Sequence, residues 1–137
     1  MIEEKKPLRQ VEIDAVDPQM EVGARLKLLA PIGEGAMCVV RGALDQNLLR
    51  PTAAKLLHPE LAGDLNTRRR MIEEAQITAQ LDHPNILPVY ELGETEQGEL
   101  YFTMKVVEGL TLTEVIAATP PNERTDQELL DLLQIMI

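Results

Sequence analysis

A lysine at position 55 lies in a short apolar segment, where its charge requires an explanation. The segment 53–57 places this lysine between two alanines and two leucines, a pattern that is typical of a strand. An ammonium group close to apolar side chains is costly unless a counter-charge lies beside it. Glu74 falls on the apolar face of the best predicted helix and is a candidate for that counter-charge. We therefore expect a buried ion pair between Lys55 and Glu74, with an ordinary surface lysine as the alternative.

A loop that contains Gly33 and Gly35 precedes this strand in the sequence. Because glycine has no Cβ, its backbone can approach a phosphate chain and donate amide hydrogens to it. The same two residues are also compatible with an ordinary turn. A dinucleotide-binding loop would open a helix, whereas the β-branched Val39 and Val40 follow this loop. The phosphate loop of NTPases would require a Gly-Lys-Ser/Thr sequence, which does not follow here.

The chain is acidic, with a net charge of −10 from 23 acidic and 13 basic residues. Such a field repels the phosphates of a nucleic acid, so a nucleic-acid partner is not expected. Arg68, Arg69 and Arg70 form a local basic cluster within this acidic chain. The cluster is compatible with a solvated helix start or with a docking site for an acidic or phosphorylated partner.

The single cysteine, Cys38, cannot form an internal disulfide bond. A metal site would require more ligands than this one thiol. His58 and His83 each precede a proline, an arrangement that is typical of turns. No apolar run approaches the roughly 18 residues of a membrane-spanning helix, and the acidic amino terminus does not resemble a secretory signal. We therefore expect a cytoplasmic protein with no metal site of its own.

Apolar periodicity and turn residues divide the chain into a leader or linker over residues 1–22, a lobe over 23–107 and a final part over 108–137. The lobe is predicted to contain consecutive strands joined by hairpins and one helix, which favours an α+β fold with a five-stranded antiparallel sheet. The predicted strands cover residues 25–32, 39–44, 52–57, 86–92 and 100–106, and a short additional strand is predicted at 11–13.

The best predicted helix covers residues 67–81, with Thr67 as its cap and a stop at the Asp-His-Pro-Asn sequence. Three- and four-residue steps place five residues on one face of this helix, namely Met71, Glu74, Ala75, Thr78 and Leu81. Two further helices are predicted at residues 112–118 and 126–137.

In this order the segments resemble those of the protein kinase family, and specifically of bacterial-type serine/threonine kinases. Residues 32–40 resemble the glycine-rich loop, 53–55 the lysine motif of the third strand, and 73–75 the glutamate motif of the helix. Residues 81–86 resemble the segment between that helix and the fourth strand, and 100–109 resemble the fifth strand and the hinge. Because five motifs occur in order over about residues 25–137, the resemblance is specific.

The resemblance implies the ATP-binding amino-terminal lobe of a kinase that transfers a phosphoryl group from MgATP to a protein serine or threonine. It implies catalytic roles for Lys55, which would contact the α- and β-phosphates, and for Glu74, which would pair with Lys55. The implied nucleotide-binding residues are Ile32, Gly33, Glu34, Gly35, Ala36, Met37, Cys38, Val40, Ala53, Lys55, Met104, Lys105, Val106 and Val107. Plain core packing is the alternative for Ile32, Val40, Ala53 and Met104.

Two features depart from the family pattern. Cys38 replaces the third glycine of the loop, and its Cβ restricts the backbone while its thiol would lie near the nucleotide. A reactive, regulatory Cys38 is one hypothesis. The catalytic aspartate and the metal-binding Asp-Phe-Gly motif have no counterpart in these 137 residues. The ligands of Mg²⁺ are therefore expected outside this chain, which is expected to transfer no phosphoryl group by itself.

A pseudokinase or regulatory interaction module without catalysis is the main alternative function. The downstream sequence would discriminate, since an active kinase requires the aspartate base and the metal-binding aspartate. A nucleotide-binding domain outside the kinase family is a third interpretation. Seven apolar residues within 126–137 also favour self-association through the last predicted helix.

Overall fold

The computed structural model describes residues 25–118 together with Pro121 and Thr125. The strand predicted at 11–13 and the helix predicted at 126–137 lie outside these residues. Within the described part of the chain, no helix is both long and apolar enough to cross a membrane.

One antiparallel sheet of five strands forms the framework of the fold. Its strands are β1 (Leu26–Glu34), β2 (Cys38–Asp45), β3 (Arg50–Leu57), β4 (Val89–Glu94) and β5 (Leu100–Met104). They lie in the order β1-β2-β3-β5-β4, and every pairing is antiparallel. The predicted α+β fold with a five-stranded antiparallel sheet and one main helix is confirmed.

The main helix, α1 (Leu65–Ala79), follows β3 after a short 3₁₀ turn (Pro59–Leu61). The carboxylate of Asp64 accepts hydrogen bonds from the amides of Asn66 and Thr67, at 3.0 and 3.4 Å, and from the Thr67 hydroxyl at 2.8 Å. Asp64 is therefore the N-cap, and the prediction that Thr67 caps this helix is wrong. The capping bonds satisfy amides that have no partner within the helix.

The second helix, α2 (Leu112–Ala118), has the predicted bounds. Thr111 and Glu114 exchange hydrogen bonds at its start, because each side chain accepts from the backbone amide of the other residue. This reciprocal pair is a capping box, which fixes where the helix begins.

The fourth and fifth strands are shorter than predicted. β4 begins at Val89 rather than at residue 86, since Ile86 donates its amide to the carbonyl of His83 in a turn and Pro88 has no amide hydrogen to donate. β5 ends at Met104 rather than at residue 106, and the amide of Lys105 donates to the carbonyl of Pro88.

Two apolar clusters lie on opposite faces of the sheet. On the face covered by α1, the buried members are Leu57, Met71, Ala75, Leu100 and Phe102. On the other face they are Ala43, Ala54 and Leu56, with half-buried side chains from β1 and β5 packed against them. Because side chains alternate along β3, Lys55 points to the same face as Leu57, towards α1.

The register between β2 and β3 is continuous over eight residue pairs. In contrast, both edge strands are irregular: β1 shifts register on either side of Pro31, and β4 shifts between Val89 and Glu91. A proline in a strand favours such a bulge because it cannot donate to the ladder. The unbroken β2–β3 pair therefore fixes which residues of these two strands lie opposite each other in the middle of the sheet.

Candidate functional site

Lys55 and Glu74 form an ion pair across the gap between the sheet and α1. Lys55 lies in register with Val40 of β2 and Phe102 of β5. Its Nζ donates to Glu74 Oε1 at 2.6 Å. The side chains are 24% and 51% exposed, so the pair is less buried than the sequence predicts. Exposed pairs contribute little to stability, and the significance of this one is that it fixes where the ammonium lies.

The glycine loop (residues 33–38) joins β1 and β2 and is closed by a hydrogen bond of 2.8 Å from the amide of Gly35 to the carbonyl of Cys38. Neither Gly33 nor Gly35 has a positive φ, and a Cβ on either residue would meet only ordinary contacts, at 4.0 and 3.6 Å. The backbone conformation of the loop does not itself require glycine. What glycine provides here is an open backbone surface that another group can approach closely.

A cleft of about 370 Å³ lies between the glycine loop, β3 and α1. It is lined by Gly33, Glu34, Gly35, Ala36, Met37, Cys38, Val40, Lys55, Leu57, Thr67, Arg70, Met71 and Glu74. The structure thus brings together the loop residues, the lysine and the glutamate that the sequence singles out. A cleft with an ammonium group and an open backbone loop is suited to an anionic ligand.

The remaining candidate residues lie outside the lining of this cleft. Ala53 is buried and lies opposite Met104 in the β3–β5 register, on the same sheet face as Lys55. Ile32 is 38% exposed at the end of β1. Lys105 and Val107 are exposed and Val106 is half-buried in the segment after β5. Ala53 lies two residues from Lys55 along β3 and Ile32 precedes Gly33 on β1, whereas residues 105–107 belong to no strand.

Four residues that line the cleft are missing from the sequence-based set: Leu57, Thr67, Arg70 and Met71. Thr67, Arg70 and Met71 precede Glu74 by seven, four and three residues on α1. Those steps place them on the same stripe of the helix as Glu74. These three residues could have been predicted from the sequence by extending the helical stripe of Glu74 towards the amino terminus of α1.

The basic cluster on α1 divides into three different environments. Arg68 pairs with Glu94 of β4 and donates to the carbonyl of Gly98. Arg69 pairs with Glu73 one turn along the helix, with Nε to Oε1 at 2.8 Å. Arg70 lines the cleft together with Lys55. The three arginines therefore do not form one continuous docking surface.

Cys38 lines the cleft close to the ion pair. Burial raises the pKa of its thiol, the Lys55 ammonium lowers it and the Glu74 carboxylate raises it, with a net rise above the ordinary value. Because the thiolate is the nucleophilic form, the raised pKa argues against a reactive Cys38.

The described residues contain no group of three or more His, Cys, Asp or Glu side chains that could hold a metal ion.

Comparison with known proteins connects this geometry to a family. The family model of the protein kinase domain matches residues 26–134 of this chain. The serine/threonine-protein kinase PrkC of Bacillus subtilis is 43% identical over 100 residues, covering 73% of this chain and 15% of PrkC. The serine/threonine-protein kinase PknD of Chlamydia trachomatis is 36% identical over 106 residues, covering 77% of this chain and 11% of PknD. The chain thus spans a small part of these relatives.

A solved structure supports the same assignment. The kinase domain of PknI from Mycobacterium tuberculosis superposes with a TM-score of 0.66 at 30% sequence identity. The match covers 82% of this chain and 45% of the PknI chain. On sequence and on fold, the chain belongs to the protein kinase domain family, among the bacterial serine/threonine kinases.

Proposed function

We propose that this lobe binds ATP, with the phosphates between the glycine loop and Lys55. The observation that carries the proposal is the 2.6 Å ion pair between Lys55 and Glu74 in a cleft that the glycine loop also lines. An ammonium group held at a fixed point beside an open glycine loop provides a charged hydrogen-bond donor for a phosphate chain, which the loop backbone can approach closely.

Each residue has a defined part in this proposal. Lys55 binds the α- and β-phosphates, and Glu74 holds the lysine in place. Ile32, Val40 and Ala53 pack against the adenine, while Met104 lies behind it. The backbone of residues 105–107 bonds to the adenine edge. The shared sheet face of Ala53, Met104 and Lys55 supports this arrangement, since one elongated ligand can contact all three.

In the whole protein, the lobe would serve transfer of the ATP γ-phosphoryl group to a serine or threonine of a protein substrate. We propose that the 137 residues alone transfer no phosphoryl group, because they contain neither a His-Arg-Asp nor an Asp-Phe-Gly sequence. The proposed organisation is a leader at 1–22, the ATP-binding lobe at 23–107 and, at 108–137, the start of the second lobe.

Self-association is a further part of the proposal. Residues 126–137 include seven apolar side chains, namely Leu129, Leu130, Leu132, Leu133, Ile135, Met136 and Ile137. Burial of these side chains against a second copy would remove them from water.

The test is ATP affinity of the 137-residue chain measured by isothermal titration calorimetry. We expect Lys55→Met to weaken ATP binding on the order of 10- to 100-fold, because a charged hydrogen-bond donor to the phosphates is lost. The free energy of unfolding should change by less than about 1 kcal/mol, because Glu74 is 51% exposed and remains hydrated without its partner.

Lys27→Met is the matched control, since Lys27 is an exposed lysine on β1 that does not line the cleft. It should bind ATP as the wild type does. Equal ATP affinities for the wild type and for Lys55→Met would contradict the proposal.

A further inference from the structure

His58 lies immediately after β3 and contacts the glycine loop twice. Its amide donates to the carbonyl of Met37 at 2.9 Å, which continues the ladder between β2 and β3. Its ring Nε2 lies 2.9 Å from the carbonyl oxygen of Gly35. A carbonyl oxygen can only accept, so Nε2 carries the proton and donates it in this bond.

The same residue also connects the loop to the elements that lead into α1. The carbonyl of His58 accepts from the amide of Leu61 at 2.9 Å, within the 3₁₀ turn. His58 occupies the N-cap position of that turn, but its side chain makes no capping hydrogen bond there. The imidazole therefore bonds to the glycine loop and not to the 3₁₀ turn that His58 precedes.

We propose that His58 is a positioning residue for phosphate binding, a role that rests on the ATP-binding function proposed above. Gly35, Ala36 and Met37 are exposed at the tip of the loop, where few packing contacts hold the backbone. The Nε2 bond to Gly35 fixes the orientation of the peptide group that follows Gly35. Because a peptide group is planar, the same bond holds the Ala36 amide in one orientation, which reduces the ordering that phosphate binding requires.

The phosphates and the adenosine part of ATP are proposed to contact different parts of the lobe. The glycine loop is the proposed contact for phosphates, whereas the adenosine part lies against the strands and the segment after β5. Loss of the imidazole should therefore weaken binding of ATP and leave binding of adenosine unchanged. A general structural defect would weaken both ligands together.

The experiment compares dissociation constants for ATP and for adenosine in the 137-residue chain and its variants. His58→Ala removes the donor, and His58→Phe keeps a ring of similar size without a donor, so that packing is preserved if the alanine variant unfolds. We expect either variant to weaken ATP binding roughly three- to tenfold without changing adenosine binding. His58→Gln restores an N–H donor and should recover most of the ATP affinity.

His83→Ala is the matched control, because His83 also precedes a proline but is exposed after α1 and does not line the cleft. It should behave as the wild type. Amide hydrogen exchange without nucleotide provides a second readout: the amides of residues 33–38 should exchange faster in His58→Ala and His58→Phe.

Unchanged ATP affinity in both His58 variants, or an equal loss of ATP and adenosine, would overturn this inference alone, provided that Lys55→Met weakens ATP binding. A wild-type chain that does not bind ATP would overturn the proposed function and this inference together.

Discussion

At the scale of single residues, Gly98 and Gly35 illustrate two different reasons for which a protein uses glycine. Gly98 has a φ of +79°, so its backbone itself disfavours any other residue. Gly35 has no such conformation, and the nearest contact of a Cβ there would be an ordinary one, at 3.6 Å from the carbonyl oxygen of Cys38. The fold itself therefore does not require glycine at position 35, and the proposed function gives the open surface a use as the place where phosphates approach.

We expect Gly35→Ala to leave the chain as stable as the wild type, or more stable by about 0.4–1 kcal/mol, because it restricts the unfolded chain. The same variant should weaken ATP binding, since the methyl group occupies the surface that the phosphates approach. Urea denaturation and titration calorimetry measure the two effects separately.

Gly98→Ala provides the opposite control, with a loss of about 1–2 kcal/mol in stability and unchanged ATP affinity. A Gly35→Ala chain that is destabilised as strongly as Gly98→Ala would show that the loop needs glycine for its own conformation.

Residue types and spacing were sufficient to identify Lys55, Glu74 and the loop, because charge in an apolar strand and paired glycines are conspicuous. Their degree of burial was not predictable, since it depends on how closely α1 approaches the sheet. The role of His58 was equally inaccessible: a His-Pro pair indicates a turn, and only the fold places the Gly35 carbonyl at 2.9 Å from its ring.

At the scale of elements, α1 depends on two buried residues for its attachment to the sheet. Met71 and Ala75 are each 2% exposed and pack with Leu57, Leu100 and Phe102. Most of the rest of the helix is exposed, including Ile77 at 60%. The position of Glu74, and so that of the ion pair, is determined by packing three residues before it, at Met71, and one residue after it, at Ala75.

Met71→Ala should lower the free energy of unfolding by about 2–5 kcal/mol, because it leaves a cavity between α1 and the sheet. Ile77→Ala on the same helix should have little effect, since that side chain is mostly in water. Thermal or urea denaturation of the two variants provides the comparison, and similar losses in both would contradict the observed orientation of the helix.

The elements themselves were predictable from apolar periodicity and turn residues, apart from their ends. The start of α1 was missed because Asp64 and Thr67 are both good capping residues, and the choice between them depends on the preceding chain. The pairing of β3 with β5 was not accessible from hairpin patterns, which connect sequence neighbours only. That pairing places Ala53, two residues before Lys55 on β3, opposite Met104.

At the scale of the whole molecule, an ionic group on the sheet face opposite α1 connects strands that are distant in sequence. Arg25 donates to Asp45 from Nε and Nη2, at 3.1 and 2.7 Å, and its Nη2 lies 3.9 Å from Glu91. Burial opposes ionisation of Asp45, but hydrogen bonds from Arg25 and from the amides of Leu48 and Asn47 outweigh it. The pKa of Asp45 therefore lies below its ordinary value.

A lowered pKa in the folded state means that folding favours the ionised carboxylate. The resulting stability is present above the unfolded pKa of about 3.9 and is lost as the pH falls through the folded pKa. We expect Asp45→Asn to be less stable than the wild type at neutral pH and to converge with it as the pH falls below about 4. Urea denaturation across this pH range measures the difference.

Asp82→Asn is the control, because it removes an exposed carboxylate after α1 that takes no part in this ionic group. A constant difference between Asp45→Asn and the wild type at every pH would show that the carboxylate charge has no part in the stability.

The uninterrupted β2–β3 ladder constrains how this lobe can change length during evolution. One residue inserted or deleted in β3 between Arg50 and Lys55 would turn Lys55 to the face away from α1, because side chains alternate. The same change in β2 would turn part of the β2 side chains to the other face. The turn at residues 46–49 and the bulged edge strands can absorb such changes without moving Lys55. Gaps in alignments of related lobes should therefore collect at the margins of the sheet, leaving the spacing from Cys38 to Asp45 and from Arg50 to Leu57 intact.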